Sequence, residues 1–573
     1  MKTILELENI YFTYKGNDKY TLNNINLDVK EGETLGIIGE SGSGKTTLLL
    51  SILGLLSSKG SHLGNIYFNN QLLDKEYKFK VLRWKEISMV FQNQLAEKKA
   101  ISGWICQNQL DVFNPKITVG EHIYEVLGNL KKKEKFDKVK ELFKIVGLDE
   151  KFIESYPSEL SGGMRQKVLI ATALSCNPKL ILIDEPTTSL EEISKIEIIK
   201  ILKNLAKNNI TLIVTSHDLE IIKELTKKVI VMDSGNIIET GITKNFLSFQ
   251  NHPYSRALVQ ASPFINIFKD LWGINEIETF RDINGCPFYS RCPQRISKCL
   301  YENPKLNKIN EECQVACHLG GIINILEVNK LSKVYTSKKF KIEALSEVSL
   351  KVRMGEIVSI IGESGSGKST LAEIISGIKE KTSGEVKFLG KEIETNILAS
   401  LNSIQIIFQD SSSAMNLELS IENILKEPFL LLKKKVPFPT EKMKEYLNNL
   451  GFPSSKEFLE KRAKNLSGGE MQRLNIVRAL LLEPKLLIAD EITSMLDPSR
   501  KANLLRILKG LQNKYGFSML FITHDLILAQ KITDYFYVLK EGKIVEEGDG
   551  LKIFNRASHP YTKKLVSSII YNF

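Results

Sequence analysis

The sequence LGIIGESGSGKTTLL occupies residues 35–49, and VSIIGESGSGKSTLA occupies residues 358–372. Each contains the pattern G-x-x-x-x-G-K-[ST] between two apolar runs. In such a loop the glycines let backbone N–H groups close around phosphate oxygens, the lysine reaches the outer phosphates, and the last hydroxyl binds Mg²⁺. The pattern therefore predicts two phosphate-binding loops, made of Gly39, Ser41, Gly42, Ser43, Gly44, Lys45, Thr46 and Thr47, and of Gly362, Ser364, Gly365, Ser366, Gly367, Lys368, Ser369 and Thr370.

Further segments repeat in the same order. LSGGMRQKV at 160–168 corresponds to LSGGEMQRL at 466–474, and LILIDEPTTSL at 180–190 corresponds to LLIADEITSML at 486–496. The spacing from the signature serine to the acidic pair is 24 positions in both halves. The chain is therefore a duplicated domain and not a solenoid of short repeats.

The order of apolar segments predicts the fold of each half. A strand-like alternation comes first, then an apolar run that ends in the glycine loop, a helical stretch, and finally alternating apolar strands and helices. This order is typical of an α/β domain with a mainly parallel sheet and an inserted helical subdomain.

Length, composition and charge limit the class of protein. The 573 residues exceed a single core, and 43% hydrophobic with 25% charged residues is ordinary for a globular protein. No apolar run reaches the roughly 18 to 20 residues of a membrane span, and the N-terminal stretch is too polar for a signal peptide, so we expect a cytoplasmic location. The net charge of +11 is compatible with nucleic acid, an anionic membrane or simple solubility, but no lysine block with interleaved aromatics favours nucleic acid, and we expect none as a partner.

Paired carboxylates end one apolar strand in each half, as Asp184-Glu185 and Asp490-Glu491. Beside a phosphate loop, the aspartate can hold magnesium through water and the glutamate can act as general base on the attacking water. His217 and His524 follow the next strand and fit a polar contact to the γ-phosphate, although an isolated histidine is more often structural.

The phosphate loop, LSGG, the acidic pair and the histidine, in this order, resemble the ATP-binding cassette (ABC) family over nearly all of both halves. The resemblance implies two tandem ABC domains, each with a RecA-like core, an antiparallel β subdomain and a helical subdomain. It also implies that the halves pair head to tail, so that each ATP lies between one loop and the opposite LSGG. One site would then join Lys45, Glu185 and His217 to Ser467, Gly468 and Gly469, and the other would join Lys368, Glu491 and His524 to Ser161, Gly162 and Gly163. Tyr14 and Tyr335 match the family's adenine-stacking aromatic, with core packing as the alternative.

The segments that follow the two cassettes narrow the resemblance to one group within the ABC family. NHPYSRALVQASP at 251–263 and SHPYTKKLVSSI at 558–569 are similar to the tails of peptide and nickel importer ATPases. We therefore expect domains at 1–250 and 322–556, a tail with linker at 251–321, and a short tail at 557–573.

This resemblance implies the energy-coupling ATPase of a binding-protein-dependent importer, for oligo- or dipeptides first and nickel or a metal chelate as the alternative. Its implied partners are two integral-membrane permease subunits and an extracytoplasmic substrate-binding protein, with the ATPase peripheral on the cytoplasmic face of the inner membrane. A soluble, ribosome-associated tandem cassette is the alternative of a different class. That group carries its cysteines in an N-terminal domain, whereas this chain starts directly with a cassette.

Five of the seven cysteines fall between residues 286 and 317. Such clustering in a cytoplasmic chain points to a metal. The segment resembles the cysteine tail of oligopeptide and dipeptide importer ATPases, which implies a [4Fe–4S] cluster. Zinc and free structural thiols stay open, and Cys313 could compete for the last position. The matching ligands are Cys286, Cys292, Cys299 and Cys317.

The motif QNQL occurs twice, at 92–95 and at 107–110. In the family, a glutamine after a strand that ends in FQ touches magnesium and the attacking water, and in the second half Gln409 matches it. In the first half both Gln92 and Gln107 qualify, because a fifteen-residue insertion has duplicated the motif. We favour Gln92, since the strand ISMVF directly before it fixes its position.

A further departure concerns the residue after DEPTTSL, where the family usually has aspartate. Asp497 stands there in the second half, but Glu191 stands there in the first. The family's loop at this position contacts the opposite half. A longer carboxylate could therefore weaken communication with the site that holds Lys368, so we predict unequal turnover at the two sites.

Overall fold

The computed structural model describes residues 2–56, 59–74, 76–83, 85–91, 113–128, 130–265, 269–270, 273, 284–337, 340–393, 403–410, 414–431, 438–494 and 496–570. The chain forms two compact units. The first comprises Met1–Ile265, Asp282–Phe288 and Lys298–Gly321, and the second comprises Asn266–Arg281, Tyr289–Ser297 and Ile322–Phe573. Within the described ranges, we find no helix that combines the length and apolar character of a membrane span.

The first unit alternates strands and helices. Its strands are β1 (Thr3–Tyr14), β2 (Leu22–Lys30), β3 (Thr34–Ile38), β4 (Gly60–Phe68), β5 (Gln71–Leu72), β6 (Ile87–Val90), β7 (Leu180–Asp184), β8 (Thr211–Thr215), β9 (Lys228–Asp233), β10 (Asn236–Ile242), β11 (Leu306–Asn310) and β12 (Cys313–Ala316). Its helices are α1 (Lys45–Ile52), α2 (Glu76–Leu82), α3 (Val119–Val126), α4 (Lys132–Val146), α5 (Gly162–Leu174), α6 (Glu192–Lys207), α7 (Leu219–Leu225), α8 (Thr243–Ser248), α9 (Pro253–Gln260) and α10 (Lys298–Tyr301), with 3₁₀ turns at Glu150–Glu154 and Pro157–Glu159.

Two sheets organise this unit. One has four strands in the order β2-β1-β4-β5, and the other has eight in the order β11-β12-β10-β9-β3-β8-β7-β6. The strands from β9 to β6 run parallel, whereas β10, β12 and β11 are antiparallel. In β3, β7 and β8 every residue is buried, as expected for parallel strands covered on both faces.

The second unit repeats this plan. Its strands are β13 (Asn324–Thr336), β14 (Lys341–Arg353), β15 (Ile357–Ile361), β16 (Ser383–Phe388), β17 (Lys391–Glu392), β18 (Ile404–Ile407), β19 (Leu486–Asp490), β20 (Ser518–Thr523), β21 (Tyr535–Lys540) and β22 (Lys543–Gly548). Its helices are α11 (Lys368–Ile375), α12 (Ile421–Leu431), α13 (Thr440–Asn449), α14 (Lys456–Glu460), α15 (Gly468–Leu480), α16 (Pro498–Tyr515), α17 (Leu526–Ile532), α18 (Gly550–Asn555) and α19 (Pro560–Ile570), with 3₁₀ turns at Tyr289–Arg291 and Ala463–Asn465.

Its sheets have the orders β14-β13-β16-β17 and β18-β19-β20-β15-β21-β22, which match the first unit strand for strand. The predicted duplicated α/β fold is confirmed. The first unit differs by one addition, the hairpin β11–β12, which extends its large sheet beyond β10.

Strand order brings the predicted chemistry to one edge of each large sheet. β8 lies between β3 and β7 in the first unit, and β20 lies between β15 and β19 in the second. Because the carboxyl ends of parallel strands meet at the same edge, the glycine loop, the acidic pair and the histidine converge there. Buried apolar side chains pack on both sides of each sheet and hold this edge in place.

Candidate active site

Each glycine loop connects a central strand to a helix. Gly44 precedes α1 and Gly367 precedes α11, and both have left-handed φ angles, 100° and 105°. A Cβ atom at Gly44 would lie 2.9 Å from the carbonyl oxygen of Thr21, and one at Gly367 would lie 2.5 Å from that of Ala344. Only glycine fits such a close approach in this conformation. The loop therefore folds back onto its own unit and leaves the start of the helix open to an anion.

The loop lysines are buried and bonded to the loop itself. Lys45 Nζ donates to the carbonyl oxygens of Gly39 at 2.8 Å and Glu40 at 2.9 Å. Lys368 Nζ donates in the same way to Gly362 at 2.9 Å and Glu363 at 2.8 Å. Burial lowers the pKa of both lysines, and the nearby acidic pair of each unit acts in the opposite direction.

In the first unit, Asp184 ends β7 with both carboxylate oxygens hydrogen-bonded. Thr46 donates to Oδ2 at 2.8 Å, and Thr215, at the end of β8, donates to Oδ1 at 2.5 Å. Burial raises the pKa of Asp184, and these two hydroxyl donors oppose the shift. The predicted magnesium hydroxyl and aspartate are therefore in direct contact, and Thr215 is a partner that the sequence analysis missed.

Glu185 follows Asp184 in the left-handed region, at φ 50°. Such a backbone conformation is uncommon for a residue with a side chain and is found more often at functional sites. His217 Nδ1 lies 2.7 Å from Glu185 Oε2, and the Thr188 hydroxyl donates to the same oxygen at 3.2 Å. The hydrogen bond to Glu185 is the main cause that raises the pKa of His217, with burial opposing it.

The second unit arranges the same motif differently. Glu491 has φ 48°, His524 Nδ1 lies 3.4 Å from its Oε1, and Gln409 Nε2 donates to its Oε2 at 3.0 Å. Asp490 receives a hydrogen bond from Ser369, but its Oδ1 is buried and has no partner among the described residues. Ile522 occupies the position that corresponds to Thr215 and offers no donor.

Gln92 and Gln107 lie outside the described residues, so the choice between them stays a prediction. In the second unit, Gln409 Nε2 donates to Glu491, and its predicted contact with magnesium and the attacking water stays a prediction.

The two predicted adenine tyrosines differ in their contacts. The Tyr14 hydroxyl lies 3.3 Å from Thr47 Oγ1, and its ring meets Phe12 edge-on at 4.8 Å between centroids. The Tyr335 ring has the ammonium groups of Lys333 and Lys379 at 5.2 and 5.7 Å from its centroid. Both rings are only half-buried, so each has a surface available for stacking.

The two LSGG segments begin helices. Ser161 caps α5 by accepting from the Met164 N–H at 3.3 Å, and Ser467 caps α15. The Ser467 hydroxyl also donates to Glu470 at 2.7 Å, which lowers the pKa of that carboxyl. Gly162 and Gly468 lie in the first turns of these helices. Gly163 and Gly469 pack so closely that an added Cβ would lie 2.5 Å from Ser194 Oγ and 2.8 Å from Leu496 Cδ2, respectively.

Glu191 and Asp497 also differ. Asp497 caps α16 by accepting from the Arg500 N–H at 3.0 Å. Glu191 occupies the capping position of α6 but makes no capping hydrogen bond. The additional methylene group therefore has a local consequence, the loss of a helix cap.

The four predicted cluster cysteines do not form a metal site. Cys286, Cys299 and Cys317 belong to the first unit, and Cys292 belongs to the second. The Cys286 N–H donates to the Cys299 carbonyl at 2.8 Å. In the ranges that the structure describes, no three His, Cys, Asp or Glu side chains are arranged to hold a metal ion. Burial, and then the neighbouring Cys299 and Cys317 thiols, raise the pKa of Cys286 to about 12. Since no metal-binding group is found among these described residues, the structure does not support the iron–sulfur prediction. The spare Cys313 lies in β12, where its sulfur accepts from Asn251 Nδ2 at 3.2 Å.

Each unit thus carries a phosphate loop, a strand-end acidic pair and a histidine at one sheet edge, which define a P-loop nucleotide hydrolase. A sequence model of the ABC transporter family matches residues 22–188 and 345–494. The chain belongs to the ABC transporter family and is an ATPase of that family. A second model, the C-terminal region of oligopeptide/dipeptide transporters, matches residues 238–299 and 545–572.

Curated relatives match nearly the whole chain. A glutathione import ATP-binding protein, GsiA, of Escherichia coli strain K12 is 30% identical over 586 residues, which cover 99% of this chain and 89% of the relative. GsiA of Pectobacterium atrosepticum is 29% identical, and the match covers 99% of this chain and 90% of that relative. Among solved structures, cbiO1 from Clostridium perfringens is 27% identical, with a TM-score of 0.37, over 44% of this chain and 96% of that one.

Proposed function

We propose that the chain is the energy-coupling ATPase of a binding-protein-dependent importer of short peptides. The observation that carries the proposal is the match to the oligopeptide/dipeptide transporter region after both cassettes. The relatives named for glutathione import agree with it, because glutathione is itself a tripeptide.

The ATP chemistry is assigned to the sheet edge of each unit. Lys45 and Lys368 would move from their loop carbonyls to the outer phosphates of ATP. Glu185 and Glu491 would accept the proton of the attacking water, and His217 and His524 would contact the γ-phosphate. The short contact between His217 and Glu185 supports this pairing of roles.

The donor set of each unit fits Mg²⁺, which prefers oxygen ligands and usually retains several waters. The Thr46 hydroxyl with Asp184 would hold it in the first unit, and Ser369 with Asp490 in the second. Asp490 supports the assignment, since its buried Oδ1 has no partner among the described residues. When bound, the ion neutralises charge on the phosphates. Gln409 would orient the attacking water, and Gln92 stays the predicted equivalent.

The two halves would pair head to tail within one chain. Each ATP would then lie between the loop of one half and the signature serine and glycines of the other, as stated above for Ser467, Gly468 and Gly469 and for Ser161, Gly162 and Gly163. Exposure of Ser161, Ser467 and Gly468 supports this role, because a second surface can reach them. Tethering raises the effective concentration of one half for the other to roughly millimolar.

The importer also requires partners encoded elsewhere. Two integral-membrane permease subunits would bind the ATPase at the cytoplasmic face of the inner membrane, and an extracytoplasmic binding protein would deliver the peptide. We assign the predicted iron–sulfur cluster no role in this cycle, because no metal-binding group of side chains is found among the described residues. Iron analysis of the purified chain tests that prediction, because an intact cluster would give about four iron atoms per chain.

Transport tests the substrate. Cells that lack the gene are complemented with the wild-type chain or with Lys368→Ala, and uptake of labelled glutathione, a dipeptide and Ni²⁺ is measured. We expect peptide uptake with the wild-type chain and little with the variant. If Ni²⁺ uptake, but not peptide uptake, is lost in Lys368→Ala, the nickel alternative is established. If uptake of glutathione, the dipeptide and Ni²⁺ is the same in the wild-type and variant cells, the proposal is overturned.

A further inference from the structure

The second helix after β10 and the second helix after β22 each contact the phosphate loop of their own unit. α9 begins after His252 with Pro253-Tyr254, and α19 begins after His559 with Pro560-Tyr561. The Tyr254 hydroxyl accepts a hydrogen bond from the backbone N–H of Glu40 at 2.8 Å. The Tyr561 hydroxyl accepts one from the N–H of Glu363 at 3.0 Å. Both tyrosines are buried, with 0% and 8% of their surface exposed.

The peptide group that the tyrosine holds is the one that the loop lysine also holds. The carbonyl of the Gly39–Glu40 peptide accepts from Lys45 Nζ at 2.8 Å, while its N–H donates to Tyr254. The Gly362–Glu363 peptide is held between Lys368 and Tyr561 in the same way, with the lysine at 2.9 Å. Because the N–H of each peptide donates to the tyrosine hydroxyl, the tyrosine fixes the orientation of the loop's first peptide.

Polar contacts connect the segment before the first tyrosine to strand β10. Glu239, in β10, accepts from the N–H groups of Asn251 at 2.7 Å and His252 at 2.9 Å. His252 Nδ1 then accepts from the Tyr254 N–H at 3.1 Å and so caps α9. The ring of Phe288 packs edge-on against Tyr254 at 5.6 Å.

The second unit repeats this arrangement with different neighbouring residues. Glu546, in β22, accepts from the N–H groups of Ser558 at 2.7 Å and His559 at 3.2 Å. His559 Nδ1 accepts from the Tyr561 N–H at 3.2 Å. The same strand glutamate, capping histidine and loop-contacting tyrosine thus occur twice in one chain, which makes an accidental contact a poor explanation.

We propose that Tyr254 and Tyr561 are positioning residues for ATP, each of which pre-organises the phosphate loop of its own half. With the first peptide fixed by the tyrosine, the remaining loop N–H groups meet the phosphates without reorientation when the lysine moves to them, and less binding free energy is lost to ordering the loop. Without the hydroxyl, this partly buried N–H loses its partner and the peptide can rotate to seek another. The inference rests on ATP binding by the chain and not on the transported substrate.

The test measures nucleotide binding at one phosphate loop at a time, in the full chain, with the lysine of the other loop removed. Tyr254→Phe is made in a chain that also carries Lys368→Ala, and Tyr561→Phe in one that carries Lys45→Ala. Equilibrium binding of a non-hydrolysable ATP analogue with magnesium is then compared with each lysine parent. We expect the affinity to fall by about fivefold to tenfold, the effect of roughly one lost intramolecular hydrogen bond.

Tyr537→Phe in the Lys45→Ala chain is the matched control. The Tyr537 hydroxyl accepts from the backbone N–H of Lys351 at 3.0 Å and donates to the Lys351 carbonyl at 3.3 Å, so the variant loses a tyrosine bond to a backbone N–H at a residue outside the phosphate loop. Thermal unfolding without nucleotide is measured for every variant. A merely structural role would lower the unfolding temperature and leave nucleotide affinity at the parent value. That result, or equal affinity losses in Tyr561→Phe and Tyr537→Phe, would overturn the proposal.

Discussion

The acidic pairs Asp184-Glu185 and Asp490-Glu491 have the same residue types but different surroundings. In the first unit both Asp184 oxygens are bonded, and His217 lies 2.7 Å from Glu185. In the second, Asp490 Oδ1 has no partner among the described residues, and the corresponding histidine distance is 3.4 Å. The difference at the aspartate comes from one residue outside the motif, Thr215 in place of Ile522. A duplicated motif therefore does not guarantee two equivalent sites, because a neighbouring strand decides which oxygens are free.

The largest expected effect is on ATP turnover, and it differs between the two glutamates. Glu185→Gln and Glu491→Gln each remove the proposed general base, which typically contributes about 10²- to 10⁴-fold to turnover. We expect the larger loss in steady-state ATP turnover from Glu491→Gln, because the histidine contact engages Glu185 more tightly, at 2.7 Å against 3.4 Å for Glu491.

Single-turnover measurements on both variants provide the control, since they separate hydrolysis from product release. A larger loss from Glu185→Gln would reverse the comparison. It would instead favour the predicted weakening of the Lys368 site by Glu191. Equal losses would leave unequal turnover unsupported.

The Thr215 hydroxyl should contribute to the stability of the first unit. Thr215→Val keeps the shape of the side chain but removes the donor to Asp184, and should cost about 1–3 kcal/mol of unfolding free energy because a buried carboxylate oxygen loses its partner. At Ile522, threonine and valine are compared with each other. We expect Ile522→Thr to be the more stable of the two, since only threonine supplies a donor to Asp490. Chemical denaturation measures both pairs.

Valine is normally favoured over threonine at a fully buried strand position, because a buried hydroxyl without a partner is costly. If Ile522→Val proves more stable than Ile522→Thr, the unpartnered Asp490 oxygen does not govern the second unit.

A smaller effect is expected at the helix after the acidic pair. Glu191→Asp should add a cap to α6 and stabilise the chain by up to about 1 kcal/mol, the typical value of an N-cap. Asp497→Glu should lose a similar amount at α16, where the aspartate already caps. Thermal unfolding of the two variants checks the pair. A gain from both changes, or a loss from both, would contradict the assigned caps.

The smallest expected effect is a change in the pKa of His217. Because Glu185 raises the pKa of His217, the charged pair persists from acid pH upward and is lost as the pH rises through this raised pKa. Glu185→Gln should therefore lower the pKa of His217, measured from its imidazole NMR signal, whereas Glu491→Gln should leave the signal unchanged. An unshifted signal in Glu185→Gln would show that the pair does not form.

The sequence predicted the features that depend on local pattern. The glycine loops, the strand-end acidic pairs and the duplicated α/β order are contiguous segments whose chemistry reads directly from residue type. The contact of Thr215 with Asp184 was missed, because it depends on which strands are neighbours in the sheet. The Tyr254 contact with Glu40 spans 214 positions, and no local pattern specifies such a pairing.

The cysteine-rich segment shows the opposite error. Cys286, Cys299 and Cys317 are close in sequence, but sequence proximity alone does not set the distances between sulfur atoms. Part of this segment instead forms the hairpin β11–β12, in which Cys313 is a strand residue. The pattern was specific for a family and not for the coordination geometry that a cluster requires.

The most direct test of the central claim counts nucleotides. Equilibrium binding of ATP to the chain carrying both Glu185→Gln and Glu491→Gln should give two ATP per chain with different affinities, and adding Lys45→Ala or Lys368→Ala should remove a different one of them. Two indistinguishable affinities would contradict the inequality of the sites. Binding of a single ATP, or of none, would contradict the account of a duplicated ATPase.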